Sequence, residues 1–236
     1  VSESPSLESV MKPKFPAMQH PLYGVIWDMD GVLIDSGPYH LLAWQQTLAN
    51  YNIALVPEQF QQMFGVDNRD FLTKILGYTP DEAFLEKISR EKESLYRNAL
   101  KNSAVLMPGV ERWLKGFQES GIKQIVASSA PPENVDTFVA DFHLGQYFQH
   151  NLSALREGLP GKPAPDIFLR AAKYLQLPVE NCVVIEDAIP GVQAAKKGGF
   201  YCVAITSTHS REELALADFI LDSFEELSFA HNAEFG

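Results

Sequence analysis

The chain has 236 residues, 46% of them hydrophobic and 21% charged, a composition that is typical of a globular protein. Thirty acidic residues against nineteen basic ones give a formal net charge of -11, which repels nucleic acids and anionic membranes on average. No apolar run in the sequence approaches the ~18 residues of a membrane span. We therefore expect neither a nucleic acid nor a membrane as a partner.

Two features bear on the compartment and on the start of the fold. Cys182 and Cys202 each lie in a β-branched apolar run, which favours buried reduced thiols over a disulfide or a metal pair and fits a cytoplasmic protein. Residues 1–20 lack the continuous apolar core of a signal peptide and are interrupted by Pro, Ser and charged residues. We interpret them as a flexible N-terminal extension.

Short apolar runs rich in β-branched residues alternate with helical segments along most of the chain. The predicted strands are Tyr23–Trp27, Gln124–Ser128, a weaker run near Tyr147–Leu152, Cys182–Glu186, Tyr201–Thr206 and Phe219–Leu221. The predicted helices between them are Val110–Glu119, Pro132–Asp141, Pro165–Leu175 and Gly191–Lys197. This alternation predicts an α/β fold with a doubly wound parallel sheet.

One long interval after the first strand breaks the alternation. From residue 38 to residue 102 the sequence has helical periodicity and no convincing strand. The interval is too long for a simple crossover and too rich in patterned apolar residues for a disordered loop. We predict an inserted all-helical domain at 38–102 and a core domain made of 21–37 and 103–236.

Reactive side chains follow the predicted strands at their carboxyl ends, where open parallel sheets bind ligands. Carboxylates, hydroxyls and one lysine would converge there from separate segments: Asp28, Asp30, Ser128, Ser129, Lys162, Glu186 and Asp187. Paired carboxylates at a strand end are costly unless a positive charge lies beside them. The set is the composition that Mg²⁺-assisted phosphoryl transfer needs, and hard oxygen ligands suit Mg²⁺ better than zinc.

Four segments in order along the chain resemble the four motifs of the haloacid dehalogenase superfamily. They are DMDGVLIDS at 28–36, ASS at 127–129, GKPAPDIF at 161–168 and VVIEDAIPGVQAA at 183–195. The resemblance covers residues 22 to 228, approximately. It implies an aspartyl-phosphate mechanism with Mg²⁺ as the cofactor and a small phosphorylated substrate.

The resemblance also implies a role for each strand-end residue. Asp28 would be the nucleophile and Asp30 the general acid and base, while Ser128 and Lys162 would hold the phosphoryl oxygens. The Mg²⁺ ligands would be Asp28, the backbone carbonyl of Asp30, Asp187, and Glu186 directly or through water. Taken singly, an aspartate after a strand is more often a turn or helix cap. For Asp35 and Ser36 we favour a structural role as caps of the first helix of the insert or of a turn. Ser129 is either a phosphate ligand or a neighbour of a helix N-cap.

The helical insert resembles the cap of the subfamily that contains β-phosphoglucomutase and many sugar-phosphate phosphatases. By that resemblance His40, Arg69 and Lys92 would bind the substrate or gate its access. Without it, Arg69 and Lys92 would be solvated surface residues and Trp44 a core residue. A cap that opens and closes is compatible with a monomer, which is the expected state.

Three functions remain open at this point. The mutases of the subfamily usually have a basic residue and an Asn after the Ser128 position, whereas this chain has Ala130-Pro131-Pro132. The prolines remove N–H donors and no cation replaces them, so a bisphosphate would be held less well. The sequence therefore favours a phosphatase over a phosphosugar mutase. A catalytically inactive binding protein is disfavoured because Asp28 and Asp30 are both present.

Overall fold

The structure, a computed structural model, describes residues 15–63 and 66–226. The chain divides into two compact units, one formed by Val1–Ile34 with Leu106–Gly236 and the other by Asp35–Val105. The second unit contains the predicted insert, whose expected limits were 38 and 102. The first unit is called the core unit below and the second the helical unit.

The core unit is built on a parallel sheet, as the alternation of strands and helices predicted. Its described strands are β1 (Gly24–Trp27), β2 (Lys123–Ser128), β3 (Asn151–Ser153), β4 (Cys182–Glu186), β5 (Tyr201–Ile205) and β6 (Phe219–Leu221). They are arranged in the order β3-β2-β1-β4-β5-β6, and each neighbouring pair is parallel. The predicted α/β class with a doubly wound sheet is confirmed.

The third strand lies later than the sequence indicated. The apolar run near Tyr147–Leu152 forms a strand only from Asn151, and a 3₁₀ turn at Leu144–Gln146 precedes it. The strand pairs with β2 from Val126 to Ser128. Tyr147 and Phe148 therefore precede the strand. Their apolar character alone did not distinguish them from strand residues.

Helices connect the strands of the core unit. The described ones are α5 (Val110–Glu119), α6 (Pro132–Asp141), α7 (Ala154–Glu157), α8 (Asp166–Leu175) and α9 (Ile189–Lys197). Pro132 and Pro190 occupy the first turns of α6 and α9, where a missing N–H costs nothing. Each crossover returns the chain to the same edge of the sheet, so the carboxyl ends of the strands gather there.

The direction in which successive strands are added to the sheet reverses between β1 and β4. From β1 the chain winds outward to β2 and β3, and then returns to begin β4 on the other side of β1. Trp27 at the end of β1 is level with Ile185 in β4 and with Val126 in β2. In such sheets the crevice at this reversal is the usual ligand site.

An aromatic cluster fills the core on one side of β1. The Trp27 ring lies 6.5 Å from Trp113 and 6.0 Å from Phe117, both on α5, in edge-on geometry. The Trp27 indole N–H donates to the Gln124 side-chain oxygen at 3.0 Å, and the Gln124 amide donates to the Leu114 carbonyl at 2.8 Å. Because each buried polar atom named here has a partner, the cluster avoids the cost of unsatisfied groups.

The predicted flexible extension is too long at its C-terminal end. Phe15 and Met18 are buried, and the Phe15 ring lies 5.9 Å from Trp113 and 6.0 Å from Tyr201. The Tyr201 hydroxyl donates to the Pro16 carbonyl. These apolar residues are isolated in a polar stretch and carry no periodicity, so their docking on the core was not recognised. Residues 1–14 lie outside the described part of the chain.

The helical unit has a core of its own. Its described helices are α1 (Gly37–Ala49), α2 (Pro57–Gln61), α3 (Asn68–Leu76) and α4 (Glu82–Ser103). Trp44 on α1 stacks on Phe71 of α3 with ring centroids 4.4 Å apart. Asp67 and Asp81 cap α3 and α4 by accepting hydrogen bonds from backbone N–H groups. Trp44 is therefore a core residue of this unit.

Two further expectations concern the state of the cysteines and membrane-spanning segments. Cys182 and Cys202 are both buried free thiols, as predicted, and burial raises the pKa of Cys182 to about 12. Within residues 15–63 and 66–226, no helix combines the length and the apolar character that crossing a membrane requires.

Candidate active site

The strand ends bring two predicted acidic segments together at the reversal between β1 and β4. Asp28 directly follows β1, and its backbone N–H donates to the Ile185 carbonyl of β4 at 3.0 Å. Glu186 is the last residue of β4, and Asp187 follows it. All three carboxylates are buried, with at most 6% of each residue exposed.

Lys162 lies between two of these carboxylates. Its ammonium group donates to Asp28 Oδ1 at 2.5 Å and to Glu186 Oε1 at 2.5 Å, and 10% of its side chain is exposed. Burial by itself lowers the pKa of Lys162, but the charges of Asp28 and Glu186 outweigh that effect and hold the pKa above its usual value. Lys162 is therefore a permanently charged group in contact with Asp28.

When all three are ionised, the carboxylates carry more negative charge than Lys162 balances. One oxygen from each of Asp28, Glu186 and Asp187 lies within 4.8 Å of the others. Burial raises the pKa of Asp28 from 3.8 to about 8, against the lowering effect of Lys162. Burial, and then the charges of Glu186 and Asp28, also raise the pKa of Asp187 well above its usual value. A cation held by these oxygens would relieve the excess charge.

The donors therefore fit Mg²⁺. They are hard carboxylate oxygens in a buried cluster, which is the ligand chemistry that Mg²⁺ takes in proteins. The Asp30 side chain is not one of the three clustered carboxylates, and its expected contribution was a backbone carbonyl.

Backbone N–H groups fix the orientation of Glu186. Its Oε2 accepts from the N–H of Asp187 at 2.8 Å and from the N–H of Ala188 at 2.9 Å, while Oε1 accepts from Lys162. A Cβ at Gly191 would lie 1.7 Å from Oε1, so only glycine leaves room for this carboxylate. The sequence signal was Gly191 itself, which we interpreted only as the first residue of the predicted helix Gly191–Lys197.

Ser128 ends β2 with its hydroxyl oriented by the following loop. The residue is 1% exposed, and its Oγ accepts from the backbone N–H of Ala130 at 3.0 Å. That hydrogen bond uses the oxygen as acceptor, so the hydroxyl proton remains to be donated to an anion. Ser129 is exposed, and the N-cap position of α6 is Pro131, two residues further on. Ser129 is therefore not the N-cap residue of α6.

Two hydroxyl residues that sequence reasoning missed support these segments. Ser153 at the end of β3 is fully buried and donates to the Ala130 carbonyl at 2.7 Å, which ties the loop after β2 to the neighbouring strand. Thr208, in the loop after β5, has its Oγ1 2.5 Å from Asp187 Oδ2. Both positions follow the same strand-end rule that identified the acidic residues, and that rule is the signal that could have found them.

The predicted residues of the helical unit form two separate interactions. The His40 ring stacks on Tyr96 at 3.9 Å, and its Nδ1 lies 2.9 Å from the Lys92 ammonium. Lys92 is 3% exposed and forms an ion pair with Glu93 at 2.8 Å. Arg69 is paired instead with Glu82 on α4. Lys92 is thus a buried residue of this unit rather than the solvated surface residue of the alternative interpretation.

The N-terminus of α1 differs from the capping alternative. Ser36 occupies the N-cap position, but its side chain makes no capping hydrogen bond in the described structure and its hydroxyl is buried. Pro38 lies in the first turn of α1, and its fixed backbone angle favours helix initiation there.

The parallel sheet is doubly wound, and buried carboxylates and a lysine lie where its strand order reverses. These two features define a class of α/β proteins that have acidic sites at the ends of their strands. A family model described as haloacid dehalogenase-like hydrolase matches residues 24–199. The chain therefore belongs to the haloacid dehalogenase-like hydrolases, and the resemblance drawn from the four motifs is confirmed.

Several curated proteins are similar to the chain. "Protein SUPPRESSOR OF QUENCHING 1, chloroplastic" from Arabidopsis thaliana is 34% identical over 79% of this chain, and the chain spans 18% of its length. A second relative from the same plant is "5-amino-6-(5-phospho-D-ribitylamino)uracil phosphatase, chloroplastic". It is 26% identical over 87% of this chain, and the chain spans 55% of its length. The chain thus spans well under two thirds of these two relatives.

Another relative is matched over most of its length. Beta-phosphoglucomutase from Bacillus subtilis is 29% identical over 77% of this chain and 82% of its own length. Among solved structures, a HAD hydrolase of family IA, variant 3, from Entamoeba histolytica has a TM-score of 0.81 and 27% identity, with 88% of this chain and 96% of that chain covered. The predicted similarity to the β-phosphoglucomutase and phosphatase subfamily is confirmed.

Proposed function

We propose that the chain is a Mg²⁺-dependent phosphatase that hydrolyses a small phosphorylated metabolite, a sugar or polyol phosphate, through a phosphorylated Asp28. The observation that carries the proposal is the Lys162 ammonium 2.5 Å from both Asp28 and Glu186. A fixed positive charge beside the attacking carboxylate reduces its repulsion of a phosphate dianion. The relatives named as a phosphatase and as a phosphoglucomutase support this class of reaction.

In the first step an Asp28 oxygen attacks phosphorus and the bond from phosphorus to the leaving oxygen breaks. Asp30 gives its proton to that oxygen, so the product leaves as a neutral alcohol. Ser128 donates its hydroxyl proton to a phosphoryl oxygen, a role supported by the Ala130 N–H that occupies the oxygen of the same hydroxyl. Lys162 neutralises a second phosphoryl oxygen.

In the second step water attacks the phosphorus of phosphorylated Asp28. Asp30, now ionised, takes the proton of that water, and the bond between phosphorus and the Asp28 oxygen breaks. Inorganic phosphate leaves and the Asp28 carboxylate is restored. Two carboxylates therefore divide the work, with Asp28 as nucleophile and Asp30 as proton carrier.

The cation would be held by Asp28, Asp187 and the backbone carbonyl of Asp30, with Glu186 directly or through water. When bound, Mg²⁺ supplies the positive charge that the buried carboxylates and the transferring group share. The raised pKa values of Asp28 and Asp187 support this assignment, because burial leaves their ionised forms short of positive charge.

A phosphosugar mutase is the second candidate, favoured by the similarity to beta-phosphoglucomutase. The loop after Ser128 supports the phosphatase instead. Pro131 is the N-cap residue of α6 and Pro132 lies in its first turn, so neither offers an N–H to a second phosphate. The pair also carries no charge, so these two residues offer a bisphosphate neither an N–H donor nor a cation.

The test is phosphate release from a panel of sugar, polyol and small-acid phosphates, with Mg²⁺ and with EDTA. A parallel reaction contains β-glucose 1-phosphate with glucose 1,6-bisphosphate and is assayed for glucose 6-phosphate. We expect Mg²⁺-dependent phosphate release, and we expect Asp28→Asn to lower it on the order of 10³-fold or more. Asp222→Asn is the matched control, because Asp222 also follows a strand of the sheet but is exposed and paired with Arg211.

Two results would overturn the proposal. Turnover retained in Asp28→Asn would remove the nucleophile. Formation of glucose 6-phosphate without net phosphate release would establish the mutase.

The proposal also covers the role of the helical unit, the cell compartment and the state of assembly. We assign substrate recognition to His40, Arg69 and Lys92 on the strength of the subfamily resemblance. A cytoplasmic monomer is the matching proposal for location and assembly, supported by the free cysteines. The two Arabidopsis relatives are chloroplastic by name.

A further inference from the structure

The loop after β5 contacts both acidic segments of the site, although no motif included it. Thr208 Oγ1 lies 2.5 Å from Asp187 Oδ2 and 3.0 Å from the Asp187 carbonyl oxygen. A threonine hydroxyl has one proton, and when Asp187 is ionised, as it would be in holding a cation, the carboxylate oxygen at the shorter distance is the stronger acceptor. The hydroxyl is therefore committed to Oδ2 of Asp187.

His209 completes the arrangement from the other side. Its Nδ1 lies 2.9 Å from Thr208 Oγ1 and 3.1 Å from the Asp187 carbonyl oxygen. Because the Thr208 proton is given to the carboxylate, Nδ1 has to be the donor in this contact, with its proton directed at these two oxygens. The Thr208 hydroxyl is thereby held in one orientation.

Gly31 packs closely against the Asp187 carboxylate. A Cβ at Gly31 would lie 2.0 Å from Asp187 Oδ2 and 3.1 Å from Thr208 Cγ2. The Ser207 hydroxyl donates to the Gly31 carbonyl at 2.5 Å, which ties the loop after β5 to the loop that carries Asp28 and Asp30. The carboxylate is thus held between a glycine backbone and a hydroxyl donor.

We propose that Thr208 is a positioning residue for the divalent cation, holding the Asp187 carboxylate in the rotation that the cluster of Asp28, Glu186 and Asp187 requires. This inference rests on the proposed Mg²⁺-dependent function. Outer partners of metal ligands typically change metal affinity or activity by ~10–100-fold when they are removed. The effect of Thr208 acts on the cation and not on the phosphorylated substrate.

The test compares Thr208→Val, which keeps the shape and removes the donor, with Thr208→Ser, which keeps the donor. Mg²⁺ binding to the full chain without substrate is measured by calorimetry, and phosphate release from p-nitrophenyl phosphate is measured across Mg²⁺ concentrations. Thr206→Val is the matched control, because Thr206 lies in the same loop and donates to Asp222 instead.

We expect Thr208→Val to weaken Mg²⁺ binding by ~10–100-fold and to regain most of its kcat at saturating Mg²⁺, with KM for the ester little changed. Thr208→Ser should bind Mg²⁺ within ~3-fold of the natural chain, and Thr206→Val should be unaffected. If Thr208→Val does not fold, Thr208→Ala replaces it in the same titrations.

Equal Mg²⁺ affinity in the valine variant and the natural chain would overturn the inference. Equal loss in the serine and valine variants would do the same, since it would show that packing and not the donor matters. Absence of Mg²⁺ binding by the natural chain would overturn the proposed function itself, which distinguishes that failure from the failure of the Thr208 assignment.

Discussion

Replacing the proposed nucleophile should stabilise the metal-free protein at high pH while abolishing turnover. Asp28 has its pKa raised from 3.8 to about 8, chiefly by burial. An acid whose pKa is raised on folding contributes its full stability below the unfolded value, and that contribution is lost as the pH rises toward the folded value. Asn at position 28 has no charge to bury and can still accept a hydrogen bond from Lys162.

The magnitude follows from the width of that window. Each pH unit between the two pKa values is worth about 1.36 kcal/mol, and the pairing of Asp28 with Lys162 and Glu186 reduces the effect of the single substitution. We expect the stability of Asp28→Asn relative to the natural chain to increase by ~2–4 kcal/mol from pH 5 to pH 8. The comparison between the two chains cancels the titration of groups that do not interact with Asp28. The titration of Asp187 does not cancel, because the Asp28 charge is one cause of its raised pKa.

Urea unfolding in EDTA at pH 5 and pH 8 measures this difference, with Asp222→Asn as the control that should show no such gain. Adding Mg²⁺ should stabilise the natural chain more at pH 8 than at pH 5, because the ionised form of Asp28 is the ligand. A stability difference that stays constant across the two pH values would refute the reasoning that burial strains the ionised Asp28.

Three further substitutions test other parts of the site. Lys162→Met removes the ammonium group that pairs with Asp28 and Glu186, so kcat should fall by ~10²–10³-fold. The control Lys115→Met, at an exposed lysine, should leave kcat unchanged. A small loss of kcat in Lys162→Met would argue against Lys162 as the charge beside the nucleophile. Gly191→Ala should displace Glu186 and lower the Mg²⁺-bound melting temperature, while Gly145→Ala, whose new Cβ has room, should not; equal melting shifts would contradict the tight fit. Arg69→Ala should raise KM for the true substrate more than for p-nitrophenyl phosphate, and equal increases would count against specific recognition.

The positions of the acidic residues were accessible from sequence because they depend on local features. Asp28 and Asp187 directly follow apolar β-rich runs, and parallel strands bring such positions to one edge whatever their order in the sheet. The convergence of Lys162 with these carboxylates was predicted, but its hydrogen bonds to both Asp28 and Glu186 were not. Lys162 lies in a loop, so its partners depend on where that loop folds back over the sheet.

The supporting residues were missed for a related reason. Ser153 and Thr208 are ordinary strand-end hydroxyls whose roles depend on the register of β3 with β2 and on the path of the loop after β5. Phe15 was missed because a single apolar residue in a polar stretch has no periodic pattern to identify it. Local composition predicts which groups can react, whereas tertiary packing decides which groups orient them.

The ends of the helical unit have a consequence for how such proteins can be altered. Ile34 and Leu106 pair in an antiparallel bridge within the core unit, and the Met107 N–H donates to the Leu33 carbonyl at 2.9 Å. The chain therefore leaves the core unit and re-enters it at neighbouring points. The two ends of the segment 35–105 are therefore adjacent. A short turn or a different insert can replace this segment without changing the length of any other connection between the strands.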